Sequence, residues 1–217
     1  MPPRRFDSHR ESFLALLLAI FVSAASSPCF ASSYLPIVTT VPDFHLLSSS
    51  GSQVSLHDLH GQVVVLTFMY THCANQCPLV AERLSGLESA LAARPIPARN
   101  VRIVSITFDP ARDTAQWLKT YSENLRADPD RWLFLTGRPS EIRSTMRAFD
   151  FAADRNRAGD FDHASRVYLI DRAGRVRQIY STSFLDTAVM VRDIDSLLSE
   201  GISPGNSSVV VRAQFPD

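Results

Sequence analysis

The chain has 217 residues and a mass of 24.1 kDa, enough for one medium domain with appendages. Its 22 Lys and Arg balance its 22 Asp and Glu, so it lacks the basic excess that a nucleic-acid binder shows. A hydrophobic share of 45% fits a packed core, and 3 Cys and 8 Gly exclude a disulfide-dense scaffold and a collagen-like repeat.

The N-terminus reads as an export signal. Arg4, Arg5 and Arg10 precede a short apolar stretch from Phe13 to Ala25. That run suits a signal h-region of about 7–15 residues better than a membrane span of about 20. Cys29-Phe30-Ala31 offers small residues for cleavage after Ala31, giving a leader over 1–31. An uncleaved membrane anchor is the alternative. The expected location is therefore periplasmic or otherwise extracytoplasmic. Cleavage would leave two cysteines, Cys73 and Cys77.

Residues 32–42 read as a linker and 43–199 as the domain. Asp43–Leu47 and Gln53–Leu56 flank Ser48-Ser49-Ser50-Gly51, which predicts an N-terminal β-hairpin. Val63 to Phe68 is an unbroken apolar and β-branched run, the pattern of a strand buried on both faces. Pro78 opens a helix reaching about Ala93, with Val80, Leu84, Leu87 and Leu91 at helical spacing. Val101 to Phe108 repeats the buried-strand pattern. Asp113 with Gln116 has the spacing of a capping box, and Trp117, Tyr121 and Leu125 supply the apolar face of the helix that follows. Trp132 to Thr136 is a third strand, and Pro139 starts a helix carrying Ile142, Met146 and Phe149. Residues 150–162 are polar and read as a long exposed loop. Val167–Ile170 and Arg175–Tyr180 form a second hairpin, and a last helix covers about 187–198. The remainder, 200–217, reads as a disordered tail. This order predicts an α/β, thioredoxin-like fold with parallel early strands, an antiparallel final hairpin and an inserted loop before His163.

Cys73 and Cys77 carry the chemistry. They follow a buried strand and precede or open a helix, at the sheet edge where α/β proteins bind ligands. The i, i+4 spacing puts both on one helix face. In an oxidising compartment a disulfide is their default state. A loop so small adds only about 2 kcal/mol, and a domain of this size does not need it. A chemical role follows: a redox pair, or two soft thiolates for Cu(I), zinc or an iron–sulfur group. Three intervening residues, Ala74, Asn75 and Gln76, suit a metal clamp without forbidding redox work. A third ligand is then wanted. His72 adjoins Cys73, and backbone neighbours rarely reach one ion. His57 and His60 read as a surface turn, and His45 lies in the first hairpin. His163 precedes an antiparallel strand whose start lies beside the parallel strands' carboxyl ends. It is either the third ligand or a surface histidine. Asp109 and Asp113 read as a turn residue and a helix cap rather than an acid–base pair. Tyr70 either meets a partner or lines the core edge.

Three blocks are similar to a known family. Thr67-Phe68-Met69-Tyr70-Thr71-His72-Cys73-Ala74-Asn75-Gln76-Cys77-Pro78 resembles the copper-site segment of the Sco/SenC proteins, copper chaperones of cytochrome c oxidase assembly. Ser105 to Thr114 resembles the second block and Asp162 to Asp171 the third, which carries the family's histidine. Asp43-Phe44 and Ser55 to Gly61 match as well, so the similarity covers about 42–199. The resemblance implies one copper ion per chain, Cu(I) or Cu(II), bound by Cys73, Cys77 and His163. It implies delivery to the copper-receiving subunit of cytochrome c oxidase, with an upstream copper chaperone or thiol reductant as further partner. The alternative it leaves is a thiol–disulfide reductase that keeps the recipient's cysteines reduced, with Cys73 and Cys77 as the redox pair. Ala74, Ala164 and Ala115 depart from the family pattern without removing a ligand.

Overall fold

The computed structural model describes residues 35–72, 76–156, 161–163 and 166–200. The expected leader and most of the expected tail lie outside them. No helix among the described residues is long and apolar enough to cross a membrane.

The centre of the domain is a mixed sheet. Strand β4 (Val63–Met69) is buried at all seven positions, as its unbroken apolar run demands. It pairs in parallel with β5 (Val101–Thr107), and β5 pairs in parallel with β6 (Trp132–Thr136). Helix α1 (Gln76–Ala92) makes the first crossover and α2 (Ala115–Leu125) the second. On the other side of β4 lies β9 (Arg166–Ile170), antiparallel to it and joined to β10 (Arg175–Ser181) in a hairpin. The N-terminal hairpin of β2 (His45–Ser48) and β3 (Gln53–Ser55) adds to the edge of β6. With β1 (Thr39–Thr40) the order is β1-β10-β9-β4-β5-β6-β2-β3. Helix α3 (Pro139–Ala148) follows β6, and α4 (Thr187–Ser199) packs against α1. Leu84, Leu87 and Leu91 of α1 and Met190, Ile194 and Leu197 of α4 are buried, as their spacing requires.

Two expectations need correction. The stretch 35–42 is no free linker: Leu35 is buried, and Thr39–Thr40 pairs with β10. The polar stretch 150–162 is no plain loop either. It contains a two-stranded antiparallel ribbon of β7 (Ala153–Arg155) and β8 (Phe161–His163). Both strands of the ribbon are short and stand outside the main sheet, so neither shows the apolar alternation of a half-buried strand.

A buried cation closes the edge near β1. Arg177 of β10 is 1% exposed. Its guanidinium donates to Asp171 at 3.0 Å, to Glu200 at 2.7 and 2.9 Å, and to the carbonyl of Leu35 at 2.8 Å. Asp171 also accepts from the backbone N–H groups of Ala173 and Arg175, fixing the β9–β10 turn. Glu200, the first residue of the expected tail, therefore belongs to the fold.

Candidate metal centre

The sheet delivers its functional residues to one end. Parallel β4 and β5 finish there, at Met69 and Thr107. Antiparallel β9 begins there, with Thr67 level with Val167 and the Thr67 hydroxyl donating to the Arg166 carbonyl at 3.0 Å. The turn after β4 leads through Tyr70, Thr71 and His72 to the cysteine segment. Helix α1 then starts at Gln76, so Cys77 sits in its first turn. The Cys77 side chain is 7% exposed. Cys73 lies outside the described residues. His163 closes β8, opposite Ala153, with its backbone alone described. Among the described residues, no three His, Cys, Asp or Glu side chains gather into a metal site.

An aromatic cluster holds the His163 ribbon at this end. The Phe161 ring meets Tyr70 at 5.2 Å and Phe108 at 5.1 Å, both edge-on. Tyr70 and Phe108 meet each other at 5.0 Å. Phe161 stands two residues before His163 on β8, and Tyr70 three residues before Cys73. Tyr70 is 2% exposed, so it lines the core edge. Arg155 of β7 lies over the Phe161 ring at 4.8 Å and reaches Asp109 at 3.4 Å. Asp109, buried, also binds Arg112. It ties the ribbon to the turn after β5, a larger part than a turn residue plays.

Asp113 corrects the capping expectation. It is wholly buried, and α2 is capped instead by Thr114, whose hydroxyl accepts from the Trp117 N–H at 3.2 Å. The Asp113 carboxylate is spoken for elsewhere. It accepts from the Thr71 N–H at 3.0 Å, the Thr71 hydroxyl at 2.5 Å and the Thr107 hydroxyl at 2.6 Å. Trp117 is corrected too: the inward face of α2 is Leu118, Tyr121 and Leu125, while Trp117 is 49% exposed. It stacks on His72 at 5.7 Å with planes 19° apart, and its indole N–H donates to the Thr71 hydroxyl at 2.8 Å. Nothing local marks these roles, because the partners stand 42 and 46 residues apart in sequence. Replacing Asp113 by alanine would strand three donors in the interior. An unsatisfied buried group costs about 1–3 kcal/mol, so a loss of roughly 3 kcal/mol is expected in urea unfolding. Asp113→Asn, which keeps two acceptor sites, should lose less.

The SCO1/SenC family profile matches residues 36–199. The chain belongs to the SCO1/SenC family. Among its SCO1/SenC relatives, a SCO1 protein homolog of Bacillus subtilis is 32% identical over 149 residues, 67% of this chain and 76% of that protein. The human mitochondrial SCO2 homolog is 31% identical over 147 residues, 65% of this chain and 53% of that protein. The match thus spans about half the length of the mitochondrial relatives. Solved SCO1/SenC structures share the fold. A family lipoprotein from Bacillus anthracis superposes with a TM-score of 0.69 at 27% identity, over 75% of this chain and 96% of that one. BsSco, described as a cytochrome c oxidase assembly protein with a disulfide switch, gives 0.66 at 30%, over 76% and 96%. Copper-bound ScoI of Bradyrhizobium japonicum gives 0.63 at 26%, over 73% and 99%. The α/β, thioredoxin-like expectation therefore holds.

Proposed function

We propose that the chain is an extracytoplasmic copper carrier that holds one copper ion on Cys73, Cys77 and His163 and hands it to the copper-receiving subunit of cytochrome c oxidase. In this reading residues 1–31 direct export and 43–199 carry the metal, with a linker-side strand and Glu200 completing the domain. The observation that supports it is the placement of Cys77 and the His163 strand at one end of β4. Two soft thiolates and an imidazole suit Cu(I), and accept Cu(II) as well. Three ligands leave a position open, so an incoming thiolate can bind before another leaves. The ion then need never be free in solution. The copper-bound ScoI relative adds weight.

Titration of the reduced protein with Cu(I), against a competing chelator, tests the reading. One equivalent should bind tightly. The same protein oxidised to the Cys73–Cys77 disulfide should take up almost none until reductant is added, because a disulfide offers no thiolate. Equal uptake in both states would refute the assignment. A second reading, a thiol–disulfide reductase acting on the recipient's cysteines, uses the same pair, and the disulfide switch described for BsSco favours keeping it. Reduced protein that binds no copper but reduces a dithiol target would decide for it.

A further inference from the structure

A half-exposed tryptophan stacked on an exposed histidine invites the question of what the pair presents. The Thr71 hydroxyl sits between them, and its hydrogen bonds fix the answer. A threonine hydroxyl has one proton and two lone pairs. Its proton goes to Asp113 Oδ1, at 2.5 Å. Asp113 is committed as an acceptor, since the Thr71 N–H and the Thr107 hydroxyl also donate to it. The Thr107 oxygen in turn accepts from the Asp109 N–H at 3.0 Å, which sends its proton to Asp113. The indole N–H of Trp117 can only donate, and takes one lone pair of Thr71. His72 Nδ1, 3.1 Å from the same oxygen, must then donate to the other. Asp113 Oδ1 lies 3.6 Å from Nδ1, and a carboxylate there favours a proton on that nitrogen. These bonds hold the hydrogen on Nδ1, so in the neutral ring the lone pair is on Nε2. No described residue bonds Nε2, and the His72 side chain is 41% exposed.

We infer that His72 is the capture ligand of the copper site, the first side chain of this protein to bind an arriving Cu(I) ion. The inference rests on the copper reading above. Imidazole is a good copper ligand, and Nε2 in this tautomer binds without losing a proton. Each thiol, by contrast, must release one. Stacking on Trp117 and the bond to Thr71 hold the ring before metal arrives, which lowers the ordering cost of the first contact. His72 is covalently next to Cys73, and adjacent residues rarely serve one ion together, so its role is transient. In the first exchange the bond from copper to its donor's ligand breaks as the Nε2 lone pair binds. In the second, a cysteine sulfur displaces Nε2 and its thiol proton passes to solvent. Copper stays Cu(I) throughout. Thr71, Asp113 and Trp117 are positioning residues for this ring.

Two measurements test it. In the reduced, metal-free protein, long-range proton–nitrogen correlation on the neutral ring should show His72 Nε2 without a bound proton and Nδ1 with one. Thr71→Val should erase that preference. In stopped-flow loading from Cu(I) bicinchoninate, His72→Phe should take up copper at least tenfold more slowly. Phenylalanine keeps the stack on Trp117, so the final stoichiometry and affinity should stay those of the unaltered protein. A neutral ring with its proton on Nε2, or loading of His72→Phe at the unaltered rate with full uptake, would overturn this inference alone. Reduced stoichiometry in His72→Phe would make His72 a resident ligand and overturn it too. An unaltered chain that takes up no Cu(I) would overturn the copper reading and this inference together.

Discussion

Exchanging Cys77 for serine should leave a folded protein that no longer competes for Cu(I). The exchange swaps a soft sulfur for a hard hydroxyl that does not ionise at neutral pH. Loss of a mere supporting partner at a metal site costs about 10–100-fold in affinity, so loss of a thiolate ligand should exceed that range. Cys77 is buried in the first turn of α1. A serine there is close in shape, and burying its hydroxyl costs about 1–3 kcal/mol at most. Circular dichroism should therefore show the native spectrum while chelator competition shows no tight equivalent. His163→Ala should act in the same direction with a smaller effect on Cu(I) and a larger one on the Cu(II) spectrum. Tight, stoichiometric Cu(I) binding by Cys77→Ser would remove Cys77 from the ligand set.

The second large effect concerns stability alone. Arg177→Ala should cost about 3–5 kcal/mol, the usual result of breaking a buried ion pair from one side. The reason is what remains. Asp171 keeps Arg175 at 2.8 Å, but the Leu35 carbonyl and Glu200 lose their bonds to Arg177. For a domain of this size that loss should lower the melting temperature by roughly 10 °C. Arg177→Met restores the volume and removes the charge, but leaves Glu200 without its cation and the Leu35 carbonyl without its donor, so it should recover only part. The far end of the sheet should not feel the change, and Cu(I) stoichiometry should stay that of the unaltered protein. A denaturation curve unchanged in Arg177→Ala would show that the buried guanidinium is replaceable by water.

Much of this architecture was legible before the structure. Val63–Met69 and Val101–Thr107 announce themselves because strands buried on both faces need apolar residues at every position. Helices α1 and α4 show the spacing of one buried face. The errors share a cause. Asp113 and Gln116 have the spacing of a cap, yet capping is a local bond and the Asp113 carboxylate is claimed by Thr71 and Thr107. With it turned inward, Thr114 takes the cap, and the helix buries Leu118 and leaves Trp117 outside. Periodicity within α2 contains no trace of Thr71. The β7–β8 ribbon escaped notice for another reason: Asp154 and Arg155 lie at the surface, so β7 carries no burial pattern. At the site, the cysteine spacing pointed to metal or redox chemistry, while the position of His163 left it a ligand or a surface histidine and the family resemblance alone implied the ligand role.

The Arg177 cluster has a consequence for how the domain can be held. Leu35 and Glu200 meet at one guanidinium, so the first and last described residues of the domain lie at a single corner. That corner is level with the beginning of β4: Val176 pairs with Ile170, and Ile170 with Val64. The Met69 end, where the cysteine turn starts, is five residues further along, about 16 Å away. A tether on either flank therefore pulls on the far pole and leaves the Cys77 pole turned toward whatever approaches. Immobilised by its N-terminal or its C-terminal side, the protein should present the same face, and a fusion at either flank should not shade it.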